Sequence, residues 1–157
     1  MSLEHAILPL SVNDWSAFKG IELHDWQKKY VPAPDKLIRQ RVFERRPEQQ
    51  FLLYGIHYQQ RLVGGFSLSV TENNELWLGA IQIDKAYQSK GLASYVFAKV
   101  IEYLCSDPKF TGLSLDVHCK NLAALELYQR QGLRICGMLE RDGKQIWLMN
   151  CKREHWL

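Results

Sequence analysis

Between residues 75 and 118 the apolar pattern changes period twice. "ELWLGAIQI" (75–83) is an apolar run of strand length. In "LASYVFAKVIEYL" (92–104), Leu92, Val96, Val100 and Leu104 form a helical stripe widened by Ala93, Phe97 and Ile101. "GLSLDVH" (112–118) returns to strand. A helix of that length between two strands carries the chain back across a sheet, so the strands run parallel. The chain therefore has an α/β core, and the remaining elements must be arranged around it.

Those elements follow from the same patterning. "HAILPL" (5–10) is a candidate first strand. Residues 12 to 31 read as a helix capped by Asn13 or Asp14, which "VPAPD" breaks. Residues 35 to 46 read as a second helix, capped by Asp35 and ended before Pro47. "FLLYGIHY" (51–58) and "RLVGGFSLSV" (61–70) form a hairpin across Gln59-Gln60. Asn121 can cap a helix over 122–131 that Gly132 ends. "LRICGMLE" and "KQIWLMNCK" flank an Asp142-Gly143 hairpin turn. The order is β-α-α-β-β-β-α-β-α-β-β. It predicts one domain over residues 1–157, with a mixed central sheet of about six to seven strands flanked by about four helices.

Charge and composition exclude several function classes. With 20 Lys and Arg against 17 Asp and Glu, the net charge is +3 and the basic residues are interspersed. No nucleic-acid partner is expected, and the basic stretch "RQRVFERRPE" (39–48) is read as a solvated helix face. No apolar run reaches the ~20 residues of a membrane span, and the first ten residues lack the pattern of a secretory signal. No membrane partner and a cytoplasmic location are expected. Cys105, Cys119, Cys136 and Cys151 have no metal-ligand spacing and sit among apolar residues, so they read as buried reduced thiols and no metal is expected.

The chemistry lies where the strand at 75–83 hands over to its helix. Gln88-Ser89-Lys90-Gly91-Leu92-Ala93 places small residues and a lysine at a helix start. The first four N–H groups of a helix lack partners and carry about half a positive charge, so small residues there let a phosphate approach the backbone. An ordinary strand-to-helix turn would also explain the glycine. Neither the G-x-x-x-x-G-K-[ST] loop nor the G-x-G-x-x-G fingerprint is present.

The stretch resembles the Q/R-x-x-G-x-G/A signature of the GNAT superfamily of acetyl-CoA-dependent N-acetyltransferases. Upstream, Ile81-Gln82-Ile83-Asp84 resembles that family's strand end. Downstream, Asn121, Ala124, Tyr128, Gly132 and Leu133 resemble its second motif. The resemblance implies that residues 88–93 hold the pyrophosphate of acetyl-CoA and that Ile81, Gln82 and Ile83 pair with its pantetheine arm. It also implies that Asn121 bonds the arm from the other side, across a splay between the strands at 75–83 and 112–118. Gly79-Ala80 suits a bulge or a close approach there. Tyr128 matches the family's general acid, although an aromatic on an amphipathic helix is also an ordinary core residue. Some members carry a glutamate where this chain has Trp77; Glu75, two residues earlier on the same face, is the candidate base through a water, and is equally read as an exposed acid at the strand end. Glu126, His118 or no dedicated base are the alternatives.

The segment 12–46 is expected to wall the acceptor site. Trp15, Phe18, Glu22, Asp25, Trp26 and Tyr30 could hold a cation there or pack onto the sheet. Trp15, Gln27, Tyr30, Val31 and Pro34 resemble bacterial spermine/spermidine acetyltransferases, which implies a small-molecule amine as substrate. A protein N-terminus, a lysine side chain, an aminoglycoside and a non-catalytic acyl-CoA sensor remain open. Trp147 and the terminal His155-Trp156-Leu157 are compatible with a homodimer.

Overall fold

A computed structural model describes residues 5–43 and 51–157. Seven strands among them form one sheet in the order β1-β2-β3-β4-β5-β7-β6. They are β1 His5–Pro9, β2 Phe51–Tyr58, β3 Arg61–Val70, β4 Glu75–Ile83, β5 Gly112–His118, β6 Arg134–Arg141 and β7 Lys144–Lys152. β4 and β5 are parallel and every other pair is antiparallel. Among the same residues lie four α-helices: α1 Trp15–Lys19, α2 Pro34–Phe43, α3 Leu92–Ser106 and α4 Leu122–Arg130.

The two faces of the sheet carry separate cores. On one, Leu92, Val96, Phe97, Val100 and Leu104 of α3 and Tyr128 of α4 pack with Leu76, Leu78, Leu113 and Leu115. On the other, Phe18 of α1 and Leu37 and Ile38 of α2 close over Leu53. The stripe expected on α3 is the stripe that is buried. Both two-residue hairpins take left-handed backbone, with φ 50° and 67° at Gln59-Gln60 and 53° and 75° at Asp142-Gly143, which matches the twist of the strands they join.

The N-terminal helical region departs from expectation. A 3-10 turn, Val12–Asp14, precedes a five-residue helix, and Gly20 ends it. Ser11 opens the turn, donating from its backbone N and its Oγ to Asp14 Oδ2 at 2.9 and 3.0 Å. Residues 21–33 are not an α-helix: Glu22 bonds just past the end of β4, and His24 to Tyr30 close as successive turns, with Gln27 N, Lys28 N and Tyr30 N donating three residues back. Glu22 N donates to Asp84 Oδ2 at 3.0 Å, and Lys85 N donates to Glu22 O at 2.7 Å. The second helix starts at Pro34, so Asp35 lies in its first turn rather than at the cap; its expected end near Pro47 lies outside the described residues. Cys136 is exposed on edge strand β6, whereas Cys151 is buried.

Candidate active site

Along β4 the sheet opens. The strand pairs with β5 only from Glu75↔Gly112 to Trp77↔Ser114. Beyond Trp77, β4 continues to pair with β3 alone. Its register against β3 slips between Gly65↔Gln82 and Ser67↔Gly79, and Ala80 sits at φ 52°. One extra residue on β4 makes this a β-bulge, which bends the strand away from β5. The bulge also re-aims the side chains that follow. Ile81 and Ile83 pack against the α3 core, and Gln82 turns to the α1–α2 face.

At the end of β4 the backbone forms an open cradle. Ser89 and Gly91 have φ 63° and 77°, and Gly91 is the N-cap of α3. Tyr95 N donates back to Gly91 O at 3.0 Å, so the N–H groups of Leu92, Ala93 and Ser94 precede the helical ladder and lack intrahelical partners. A Cβ added at Gly91 would meet nothing within 4 Å, so glycine is there for its dihedral and not for space. Gln88 points inward. Its Nε2 donates to Ile83 O at 2.8 Å and to Gln27 Oε1 at 2.9 Å, and Gln27 Nε2 returns a bond to Gln88 Oε1 at 3.2 Å. Lys90 lies apart, its Nζ 5.7 Å from the centre of the Tyr58 ring.

These elements line one groove of about 390 Å³. Its walls hold Ile81, Gln82, Ile83, Gln88, Ser89, Gly91, Leu92 and Ala93 on one side and Asn121, Ala124, Leu127 and Tyr128 of α4 on the other. Asn121 is the N-cap of α4, its side chain accepting from Ala124 N at 3.4 Å. Tyr128 is 8% exposed, with its ring 5.6 Å from that of Phe97. Burial pushes its phenol pKa well up, with the Asp116 charge as a smaller contribution. The groove continues between Leu23, Trp26, Gln27, Tyr30 and Val31 of the N-terminal segment. Trp26 is 49% exposed, not packed on the sheet, whereas Phe18 is wholly buried and Trp15 partly so. The Tyr30 and His118 rings stand 5.3 Å apart.

Glu75 is not brought to this groove. It lines a separate cavity with Trp77, Ser114 and Asn150. There its carboxylate accepts from Ser114 Oγ, and from Asn150 Nδ2 at 2.7 Å. It starts β4 while the groove lies past the bulge, so alternation counted back from Ile81 does not carry it to the groove. Glu126 is exposed on α4. Burial lowers the pKa of His118, and His118 does not line the groove. Among the described residues the groove wall contains no carboxylate and no imidazole. Glu22, His24 and Asp25 line an adjoining cavity of about 590 Å³, where Glu22 pairs with Lys85 and Asp25 with Lys28.

Sequence reasoning missed Leu127, Tyr87 and Arg130, all of which line the groove. Leu127 had a signal: with Ala124 and Tyr128 it completes an i, i+3, i+4 face of α4. Arg130 had none.

The parted strands, the bulge and the N–H-rich helix start on a seven-stranded mixed sheet define a GNAT-type acetyltransferase fold. The chain belongs to that family: the profile of the Acetyltransferase (GNAT) family matches residues 15–133. Among curated relatives it is 31% identical over 99 residues to the spermine/spermidine N(1)-acetyltransferase of Bacillus subtilis strain 168. That match spans 59% of this chain and 65% of the relative, under two thirds of its length. The spermidine N-acetyltransferase of Vibrio cholerae, solved with CoA and spermine, superposes with a TM-score of 0.75 at 15% identity, over 98% of each chain. A Salmonella typhimurium acetyltransferase that modifies the N-terminal serine of ribosomal protein L7/L12 gives 0.74 at 14% identity, over 96% of each. At such identities the two structures speak for the fold.

The residues present fit acetyl-CoA, the cosubstrate of this family. The cradle offers unpaired N–H groups and small side chains to a pyrophosphate, and the splay leaves β4 unpaired on the side where a pantetheine arm would lie.

Proposed function

We propose that the protein is an N-acetyltransferase that moves an acetyl group from acetyl-CoA to a primary amine, a small polyamine-like molecule, by direct attack in a ternary complex. A single observation carries the reading: the helix-start cradle, the unpaired stretch of β4 and Tyr128 line one groove that runs on into the Trp26–Tyr30 segment.

Each chain group has a task in this reaction. The N–H groups at the start of α3 hold the pyrophosphate, and Asn121 borders the arm from α4. The backbone N–H at Ile81, fixed by the bulge, faces the charge that develops on the thioester oxygen; one such donor is worth about 3 kcal/mol. The Tyr128 hydroxyl is protonated at neutral pH, as a phenol ordinarily is, and burial disfavours its phenolate further; it gives its proton to the departing sulfur as the proton shed by the attacking nitrogen restores the phenol. The amine must arrive neutral. With no carboxylate in the groove wall, the apolar surfaces of Leu23, Trp26 and Val31 do this by desolvation, which lowers an ammonium pKa from its usual ~10.4.

Titration calorimetry with acetyl-CoA, followed by thiol release over a panel of amines, tests the reading. Binding followed by CoA release on spermidine or a related amine supports it. Binding with release only on peptide N-termini would replace the acceptor, and binding without any release would leave an acyl-CoA sensor. No binding would remove it entirely.

A further inference from the structure

Gln82 is 4% exposed, on the face of β4 opposite to Ile81 and Ile83. Its Nε2 donates to Pro32 O and to Ala80 O, each at 3.2 Å. Both partners are carbonyls, so only the nitrogen can face them, and the orientation of the amide is set. The other end of the amide, Oε1, is buried and has no hydrogen-bond partner among the described residues. Leaving such an oxygen unpaired costs about 1–3 kcal/mol, and native structures rarely tolerate it without a reason. A tie between β4 and the Pro32 loop would need only the nitrogen.

The position of Gln82 suggests what the oxygen is for. Gln82 lines both the groove that holds Ile81 and Tyr128 and the adjoining cavity that holds Glu22 and Asp25. The residues common to the two are Leu23, Val31 and Gln82. Two are aliphatic, so Gln82 is the polar group at the junction among the described residues. Its oxygen is shielded from bulk water, so an incoming donor meets little competition there.

We infer that Gln82 Oε1 accepts a hydrogen bond from an N–H of the acceptor amine, orienting the nitrogen lone pair toward the thioester carbonyl. Gln82 is thus an acceptor-orienting residue. An amide oxygen cannot take up the proton at this pH, so it orients the amine without serving as a base. This rests on the acetyltransferase reading above.

Two substitutions separate orientation from structure. Gln82→Met removes both ends of the amide. Gln82→Glu keeps an acceptor oxygen but loses the donor to Pro32 and Ala80. With acetyl-CoA and spermidine, or another panel amine that the wild type acetylates, Gln82→Met is expected to raise the amine KM about tenfold, the scale of one hydrogen bond. The KM for acetyl-CoA should stay within twofold in both variants, and Gln82→Glu, although its buried carboxyl faces the Pro32 and Ala80 carbonyls, should keep an amine KM below that of Gln82→Met. An unchanged amine KM in Gln82→Met, or equal damage in both variants, overturns the inference while leaving the acetyltransferase reading in place. No CoA release by the wild type on any amine overturns both. Should Gln82→Met not fold, the side-chain carboxamide signal of Gln82 in wild-type protein, labelled with 15N-glutamine, is to be followed as spermidine is added. A shift supports the contact and a static signal refutes it.

Discussion

Tyr128→Phe separates catalysis from packing at one position. The ring stays, so its contact with Phe97 at 5.6 Å survives, and the change removes one oxygen. Stability near neutral pH should move by less than about 0.5 kcal/mol, as for a substitution that neither opens a cavity nor orphans a partner. Turnover should respond very differently. General acid catalysis contributes roughly 10²- to 10⁴-fold, which is about 3–5 kcal/mol of barrier at ~1.36 kcal/mol per tenfold. The assay is CoA thiol release at saturating amine, with thermal unfolding run on the same samples. A kcat within twofold of wild type would refute the assignment of the leaving-group proton to this hydroxyl. Alkaline unfolding offers a second readout. Burial raises the folded pKa of Tyr128 above its unfolded value near ~10, so the folded chain holds the proton more tightly. The stability this contributes is complete below pH ~10 and is lost as the pH climbs through the raised folded value. The wild type should lose stability over that range, and Tyr128→Phe should lose less.

Three further perturbations follow from the same geometry. Ala93→Asp puts a carboxylate in the first turn of α3, where it should raise stability by about 0.3–1 kcal/mol through the helix dipole while weakening acetyl-CoA binding at least tenfold in calorimetry. Arg153→Ala should cost about 2–3 kcal/mol in urea unfolding, because the guanidinium donates to Leu104 O, Cys105 O and Asp107 O at 2.7–2.9 Å and its loss leaves three carbonyls at the end of α3. Gly64→Ala should lower the melting temperature by about 5 °C or more, since a Cβ there meets the carbonyl oxygen of Gln82 and lies 3.2 Å from Ile83 Cα, and backbone cannot swing aside.

The parts of the fold that the sequence shows well are those set by local rules. α3 announces itself because its stripe, its N-terminal glycine and its length agree, and the Asp142-Gly143 turn because few residues tolerate its dihedrals. Residues 21–31 read as the second half of a helix because their polar and apolar residues alternate at a compatible spacing. The path of the segment 21–33 is decided by bonds to residues 82–88, more than fifty positions away in several cases, which periodicity does not register. The reciprocal Gln27–Gln88 amide pair is invisible for the same reason. Glu75 shows a different limit: face assignments made by alternation hold only until the ladder gains a residue, and although Gly79-Ala80 suits a bulge, the pair alone does not say that a residue is added and every earlier side chain turned over. The cradle at 88–93 was legible because its chemistry is mostly backbone.

The three-pair junction between β4 and β5 also divides the molecule's resistance to opening. On either side of it the ladders β1–β4 and β5–β7 are continuous, so each half should open as its own cooperative unit, with the amides beside the gap exchanging fastest. A bound pantetheine arm would act there as a short eighth strand, lending hydrogen-bond partners to a sheet that the polypeptide leaves incomplete. Amide exchange at residues 78–83 should therefore slow more with cosubstrate present than exchange in β2 or β7, and the cosubstrate then counts as part of the protein's own architecture.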